Sequence, residues 1–335
     1  MPLSTALLRT AATLLSPAGN AARLTVLMYH RVLQDPDPLT GEVHAQHFDL
    51  QMRALREYFT VLPLFEAVDR LAARTLPSRA VAITFDDGYA DNAQIAVPIL
   101  KAHGLHATFF VADGYLDGGR MFNDTVIEAV RRLREPVLEL PLPGLPPALA
   151  VGSIEEKRQA LARILGSVKY LEPAQRLRAV ERIAALADGP LPTDLMMTQE
   201  QVRSLVDAGM DVGGHTVNHP ILNSVEIETA RREIETNRST LRAITGKEIK
   251  LFAYPNGVPG KDYAYVHTEL VRAAGYKAAV TTSWGAADAG CDLYQLPRFT
   301  PWDREARRFA LRLMHNLVSR RPTLLRADSS VKTAA

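Results

Sequence analysis

Two short segments carry side chains that could perform hydrolysis together. The first is Thr84-Phe85-Asp86-Asp87-Gly88, two adjacent carboxylates directly after the apolar run 80–85. Like charges this close resist joint ionisation unless a cation offsets them. The second is His215-Thr216-Val217-Asn218-His219, preceded by Gly213-Gly214 and followed by Pro220. Histidines four apart can aim both imidazoles at one ion. Pro220 and the glycine pair favour a strand-end loop running into one turn over a helix interior. Together with Asp87 the histidines make a His₂-carboxylate set, which leaves positions open for water and substrate, as a catalytic metal requires. Zn²⁺ is the default ion, and Co²⁺ or Ni²⁺ accept similar ligands. Taken singly, each segment has a plainer reading: Asp-Asp-Gly is ordinary turn chemistry, and a lone His-x-x-x-His also occurs as a structural pair.

Both segments must sit on elements that bring them together. Short apolar runs at 24–29, 61–64, 80–85, 106–111, 210–213, 249–254 and 276–281 read as strands, with a final strand and helix from 293 onward. Helical patterns separate them: Phe48, Met52, Leu55 and Phe59 form one stripe of a 3.6-residue period. The helix over 92–103 ends at Gly104, where glycine suits a left-handed cap. Thr198 and Gln201 form a capping-box pair ahead of another helix, which Gly209 ends. Around seven strands, each followed by a helix, predict an α/β fold with a parallel, barrel-like sheet. Chemistry in such folds gathers at the C-terminal ends of the strands, where both segments fall. From about 115 to 195 the alternation stops. Three helical patterns and the proline-rich stretch 139–147 are read there as a helical insertion, with no strand-like run.

The two segments carry a family resemblance. Thr84–Gly88 (TFDDG) and His215–His219 (HTVNH) resemble the first two motifs of the polysaccharide deacetylase family, the NodB-homology or carbohydrate esterase family 4 group. The resemblance covers roughly residues 24 to 298 and implies a distorted (β/α)₇-type barrel. It implies Asp86 as catalytic base, with Asp87, His215 and His219 as metal ligands. The third motif departs from the common R-x-P-Y-G form and reads Phe252-Ala253-Tyr254-Pro255-Asn256-Gly257. Ala253 replaces the arginine, and Asn256 replaces the tyrosine whose backbone N–H contributes to the oxyanion site in the family, an N–H that Asn256 can still supply. A-Y-P-x-G versions resemble the branch acting on poly-N-acetylglucosamine and related exopolysaccharides. Arg298, at another strand end, is a candidate to orient Asp86 in place of the lost arginine; a surface salt bridge is its plainer reading. The late L-x-x-H motif has no clear counterpart, since His315 falls in a terminal helix. In that branch a Tyr-His pair after the first strand supplies the acid, which implies His30. Tyr29, Tyr89, Tyr254 and Trp284 are candidates to line a sugar cleft, although aromatics at strand ends are more often core.

The resemblance therefore implies an acetylated carbohydrate as substrate and exopolysaccharide biosynthesis machinery as a partner. An O-acetyl ester or non-sugar amide on the same metal site, and a carbohydrate-binding barrel without catalysis, are the competing readings. The composition fits: 335 residues allow one barrel, and 39 basic against 37 acidic side chains with no basic run argue against nucleic acid. The single cysteine, Cys291, excludes an internal disulfide or a multi-thiolate metal site. Residues 1–23 read as a lead-in segment, residues 24–318 as the barrel with its insertion, and residues 319–335 as a disordered tail. Residues 3–15 are apolar but interrupted by Arg9, which fits an amphipathic lead-in helix at least as well as a secretory signal. No segment is long and apolar enough to span a bilayer. The compartment stays open, the cytoplasm being favoured over the periplasm.

Overall fold

The computed structural model describes residues 3–142, 144–318 and 322–327. Seven strands build a parallel sheet in which chain order and spatial order agree. They are β1 (Thr25–Tyr29), β2 (Ala80–Phe85), β3 (Thr108–Val111), β4 (Asp211–Gly214), β5 (Leu251–Ala253), β6 (Ala278–Trp284) and β7 (Leu296–Arg298). Register runs from Thr25 opposite Val81 to Leu251 opposite Ala278, and a shift interrupts the β6–β7 pair between Val280 and Trp284. The sheet closes on itself through main-chain bonds, from Met28 N–H to Phe299 O at 2.9 Å and from Phe299 N–H to Val26 O at 2.8 Å. This is the predicted distorted (β/α)₇-type barrel. The short strand Thr60–Val61 pairs with the start of β2 as an eighth member of the sheet.

Because side chains alternate between the two faces of a strand, β1, β2, β3, β5 and β6 each contribute to two cores. Val26, Ala82, Phe110, Ala253, Val280 and Leu296 pack together in one cluster, with Leu64, Val68 and Leu71 of the helix Leu64–Ala72. Leu27, Ile83, Phe109, Phe252 and Ala279 pack outward against the surrounding helices. Thr84 and Asp86 continue the Ala82 face by the same two-residue period, and Arg298 continues the Leu296 face. The alternation thus brings a carboxylate and a guanidinium to one end of the barrel.

Residues between β3 and β4 form the insertion, with helices Phe122–Arg131, Ile154–Val168 and Pro173–Ala184. Its core is its own: Val126, Val130, Ile164, Val180 and Ile183 pack with Leu138 and Leu149. The second helix begins with a capping box between Ser153 and Glu156, and Glu172 caps the third ahead of Pro173. One expectation is corrected. The proline-rich stretch is the loop of an antiparallel hairpin, Val137–Glu139 with Ala148–Ala150. Each strand buries a single leucine, too little for a period-2 signal. A second difference concerns the predicted helix over 92–103, which starts as a π-helical turn, Asn92–Ala96, and continues as Val97–Ala102.

The helix Leu3–Leu15 packs against the helices Ala45–Tyr58 and Ala306–Val318. No helix among the described residues is long and apolar enough to cross a membrane. Of the predicted tail, residues 322–327 lie against the barrel, where Gln295 exchanges hydrogen bonds with the backbone of Leu325 at 3.0 and 2.8 Å. The rest of the tail falls outside the described residues.

Candidate active site

Asp86 and Asp87 leave the end of β2 in different directions. Asp86 N–H still donates to Tyr29 O at 2.9 Å, whereas Asp87 turns into the left-handed region at φ +77°. Asp86 therefore faces Arg298, which grips both of its oxygens at 2.6 Å. The guanidinium also donates to Thr281 O at 2.9 Å and Thr84 Oγ1 at 3.3 Å. Both members of the pair are buried. Burial opposes ionisation of Asp86, but Arg298 and then His215 outweigh it and hold the carboxyl below its usual range.

Asp87 faces the two histidines. Its Oδ1 lies 3.3 Å from Nε2 of His215 and 3.3 Å from Nε2 of His219, and those nitrogens are 3.1 Å apart. His215 Nδ1 is 2.7 Å from Ala253 O, so Nδ1 carries the proton and Nε2 of the neutral ring presents a lone pair. Asp87 Oδ1 is buried without a hydrogen-bond partner. Three ligand atoms within 4.8 Å of one another, one of them an orphaned carboxylate oxygen, fit a divalent cation. Burial pushes His219 down to about 4, leaving it neutral and able to ligate at neutral pH. Burial would lower His215 too, but Asp87 and Asp86 raise it, so proton and metal ion compete for its Nε2.

The helix Ile227–Thr245 holds the histidine loop in shape. Asn237 Oδ1 accepts from His215 N–H at 3.0 Å, and its Nδ2 donates to Val111 O at 3.0 Å. Glu233, one turn earlier, accepts from the N–H groups of Val217 and Asn218 at 2.9 and 2.8 Å. Gly214 is required by close approach: a Cβ there would overlap the Tyr276 hydroxyl and lie 2.7 Å from Asn237 Oδ1. Four of the seven described non-glycine residues with positive φ are at this site: Asp87, Thr216, His219 and Asn256. Such conformations cost energy and persist where surrounding contacts enforce them.

These groups open into a pocket of about 250 Å³ lined by His30, Asp86, Asp87, His215, His219, Asn256 and Thr282. Phe122, Asn123, Leu165 and Lys169 of the insertion form its other wall. Asn256 sits at φ +59° in a turn fixed by Thr282, whose Oγ1 donates to Asn256 O at 2.9 Å. Seven of the eight site residues named from sequence therefore come together. Tyr254 does not: it is fully buried, stacks on Tyr263 at 4.1 Å and donates to Tyr294 O. Tyr29 and Tyr89 are likewise core, their hydroxyls spent on Gln51 and Asp124. Of the four proposed cleft aromatics only Trp284 is exposed, stacked on Trp302 at 5.3 Å. Sequence reasoning missed Glu233, Asn237 and the insertion wall. Asn237 left a signal, since it interrupts the buried stripe Ala230, Ile234, Leu241 and Ile244.

The sequence profile of the family described as polysaccharide deacetylase matches residues 73–139 and 177–279, half of the chain, and skips residues 140–176 within the insertion. The chain belongs to the polysaccharide deacetylase family. A Bacillus subtilis (strain 168) protein named as a polysaccharide deacetylase, YxkH, is 23% identical over 83% of this chain and 71% of its own length. Among solved structures, the Streptococcus pyogenes deacetylase PplD in complex with acetate superposes with a TM-score of 0.60 at 21% identity, over 88% of this chain and 98% of that one. IcaB from Ammonifex degensii gives 0.57 at 20%, over 89% and 98%. A de-N-acetylase from Aggregatibacter actinomycetemcomitans gives 0.53 at 17%, over 83% and 94%. At these identities the likenesses show a shared fold.

Proposed function

We propose that this deacetylase is a metal-dependent hydrolase that removes N-acetyl groups from an N-acetylglucosamine-containing polysaccharide or glycan precursor. The observation that carries the reading is the convergence of Asp87, His215 and His219 within 4.8 Å, in the same pocket as the Asp86–Arg298 pair. Asp87, His215 and His219 would hold the ion, with Zn²⁺ the default for two imidazoles and a carboxylate. When bound, a divalent ion supplies Lewis acidity, easing deprotonation of water and drawing charge from a carbonyl oxygen.

The protein's own groups account for the proton movements. Asp86, kept ionised by Arg298 and buried beside the pocket, accepts a proton from the attacking water. The water oxygen bonds to the acetamide carbon, and the charge that develops on the carbonyl oxygen would be met by the backbone N–H of Asn256, a residue that lines the pocket. The C–N bond then breaks. The sugar amine leaves with a proton donated by His30, and acetate remains. Tyr254 acts at a distance by supporting the turn from the core, and it takes no part in binding sugar. The description de-N-acetylase belongs to a structural relative of this chain and supports an amide over an ester as the bond cleaved.

The test is release of free amine from N-acetylglucosamine oligomers, measured before and after chelation and after zinc return. Activity should vanish and come back with the metal; activity that chelation leaves untouched would remove the reading. Asp87→Ala should lose the metal by elemental analysis. Asp86→Asn should keep it while kcat falls by about 10²–10⁴.

A further inference from the structure

The flank of the barrel formed by the first and last helices is apolar and basic at once. Leu7 and Leu14 of the helix Leu3–Leu15 are 65% and 78% exposed, and Leu15 is exposed beside them. Ala6, Thr10 and Ala11 fill the gaps, so the outward face of this helix carries no charged side chain over residues 6–8 and 10–15. Ala12 and Leu8 pack inward on the barrel's helices. Exposed leucines on a helix that is already docked are left without a partner in the folded chain. The neighbouring helix Ala306–Val318 extends this surface with exposed Leu311 and Val318, next to Arg307 and Arg308. Arg23, in the segment that follows the first helix, donates to Leu317 O of the last.

Charge separates this flank from the rest of the molecule. The described segments 3–23 and 303–318 that form this flank together hold six arginines and two acids, Asp303 and Glu305. The other residues hold 33 basic against 35 acidic side chains, so a chain of net +2 divides into a +4 flank and a −2 remainder. Asp303 and Glu305 are paired internally with Arg312 and Arg308. Arg79 adds a further cation: it shares one depression with Arg9 and Leu14, and burial, then Arg9, lowers its pKa.

We propose that this flank docks the protein on the surface of an anionic lipid bilayer, the exposed leucines entering the headgroup boundary and the arginines meeting lipid phosphates. Amphipathic helices that lie in the membrane interface combine apolar area with basic residues in this way. Each basic residue near an anionic surface contributes about 1 kcal/mol, or roughly fivefold in partition, at low ionic strength. A second copy of this chain fits the face poorly, because two +4 flanks would repel. The pocket opens at the C-terminal ends of the strands, whereas this face lies on the barrel's side. Docking therefore leaves the pocket open and does not depend on the reaction assigned to it.

The experiment is co-sedimentation of the full chain with vesicles of phosphatidylcholine alone and of phosphatidylcholine with roughly one third phosphatidylglycerol. Binding is expected to the anionic vesicles only, and to fall as salt rises from about 0.05 to 0.5 M. Leu7→Glu/Leu14→Glu should lower it at least tenfold, and Arg307→Gln/Arg308→Gln about fivefold per arginine, both with unchanged thermal melts. No binding to either vesicle, equal binding to both, or full binding by the leucine variant would each overturn the proposal. A dimer dispersed by Leu7→Glu/Leu14→Glu, in a protein that ignores vesicles, would assign the face to a second copy instead.

Discussion

Replacing Arg298 by methionine isolates the physics of the site most cleanly. The side chain is 1% exposed and donates two bonds of 2.6 Å to Asp86, so its loss strands a buried carboxylate. Charge-assisted bonds of this kind contribute about 1.5–3 kcal/mol each. Breaking a buried ion pair from one side costs about 3–5 kcal/mol, because the remaining charge stays desolvated. In the native protein the Asp86 pKa is depressed, so its contribution to stability is present above the unfolded carboxylate value and fades as pH falls through the folded one. In Arg298→Met burial acts unopposed by the guanidinium and the direction reverses. The stability gap between the two proteins should therefore be widest near pH 7 and narrow below about pH 4, where Asp86 of the variant is neutral in both folded and unfolded chains. Urea unfolding at both pH values measures it. The acid limb of the pH–rate profile should also move to higher pH, since the base is protonated earlier. Asp86→Asn/Arg298→Met should lose less stability than the two single changes summed. If Arg298→Met unfolds at the native midpoint and keeps the native pH profile, the coupling described here does not exist.

Three further outcomes are expected. Glu233→Ala removes the acceptor for two loop N–H groups and should weaken metal binding about 10–100-fold by competition with a chelator, with Glu233→Gln intermediate. Asp124 is buried with an unpartnered Oδ2 and is pushed up to about 7 by burial and by Asp87. A raised carboxyl destabilises the fold once pH exceeds its unfolded value, and the penalty is complete above the folded one; Asp124→Asn should therefore gain stability over the parent at pH 8 and not at pH 4, read by thermal melting. Ile164→Ala opens a cavity in the insertion's core and should cost about 2–5 kcal/mol, with fragments from limited proteolysis mapping between β3 and β4.

The barrel and its catalytic end were legible because fully buried parallel strands appear as continuous apolar runs, such as Ala80–Phe85. Asp86-Asp87-Gly88 and Gly213-Gly214 then interrupt those runs with polar or unhindered residues that a strand would not choose. Other features were hidden for identifiable reasons. The two-residue period places Asp86 and Arg298 inward, but only the closed sheet reveals that residues 212 positions apart meet at 2.6 Å. Tyr254 was misplaced because strand-end aromatics look the same whether they face the cleft or the core; stacking on Tyr263 decides it. The hairpin at Val137–Glu139 and Ala148–Ala150 is too short for any periodicity to register.

The insertion has a hydrophobic core separate from the barrel's, yet Phe122, Asn123, Leu165 and Lys169 from it wall the pocket whose floor the barrel supplies. One pocket is thus bounded by two bodies whose hydrophobic cores are separate. Substitutions in the helical wall can therefore redraw one side of the pocket while the strand ends that carry Asp86, Asp87 and Arg298 stay as they are.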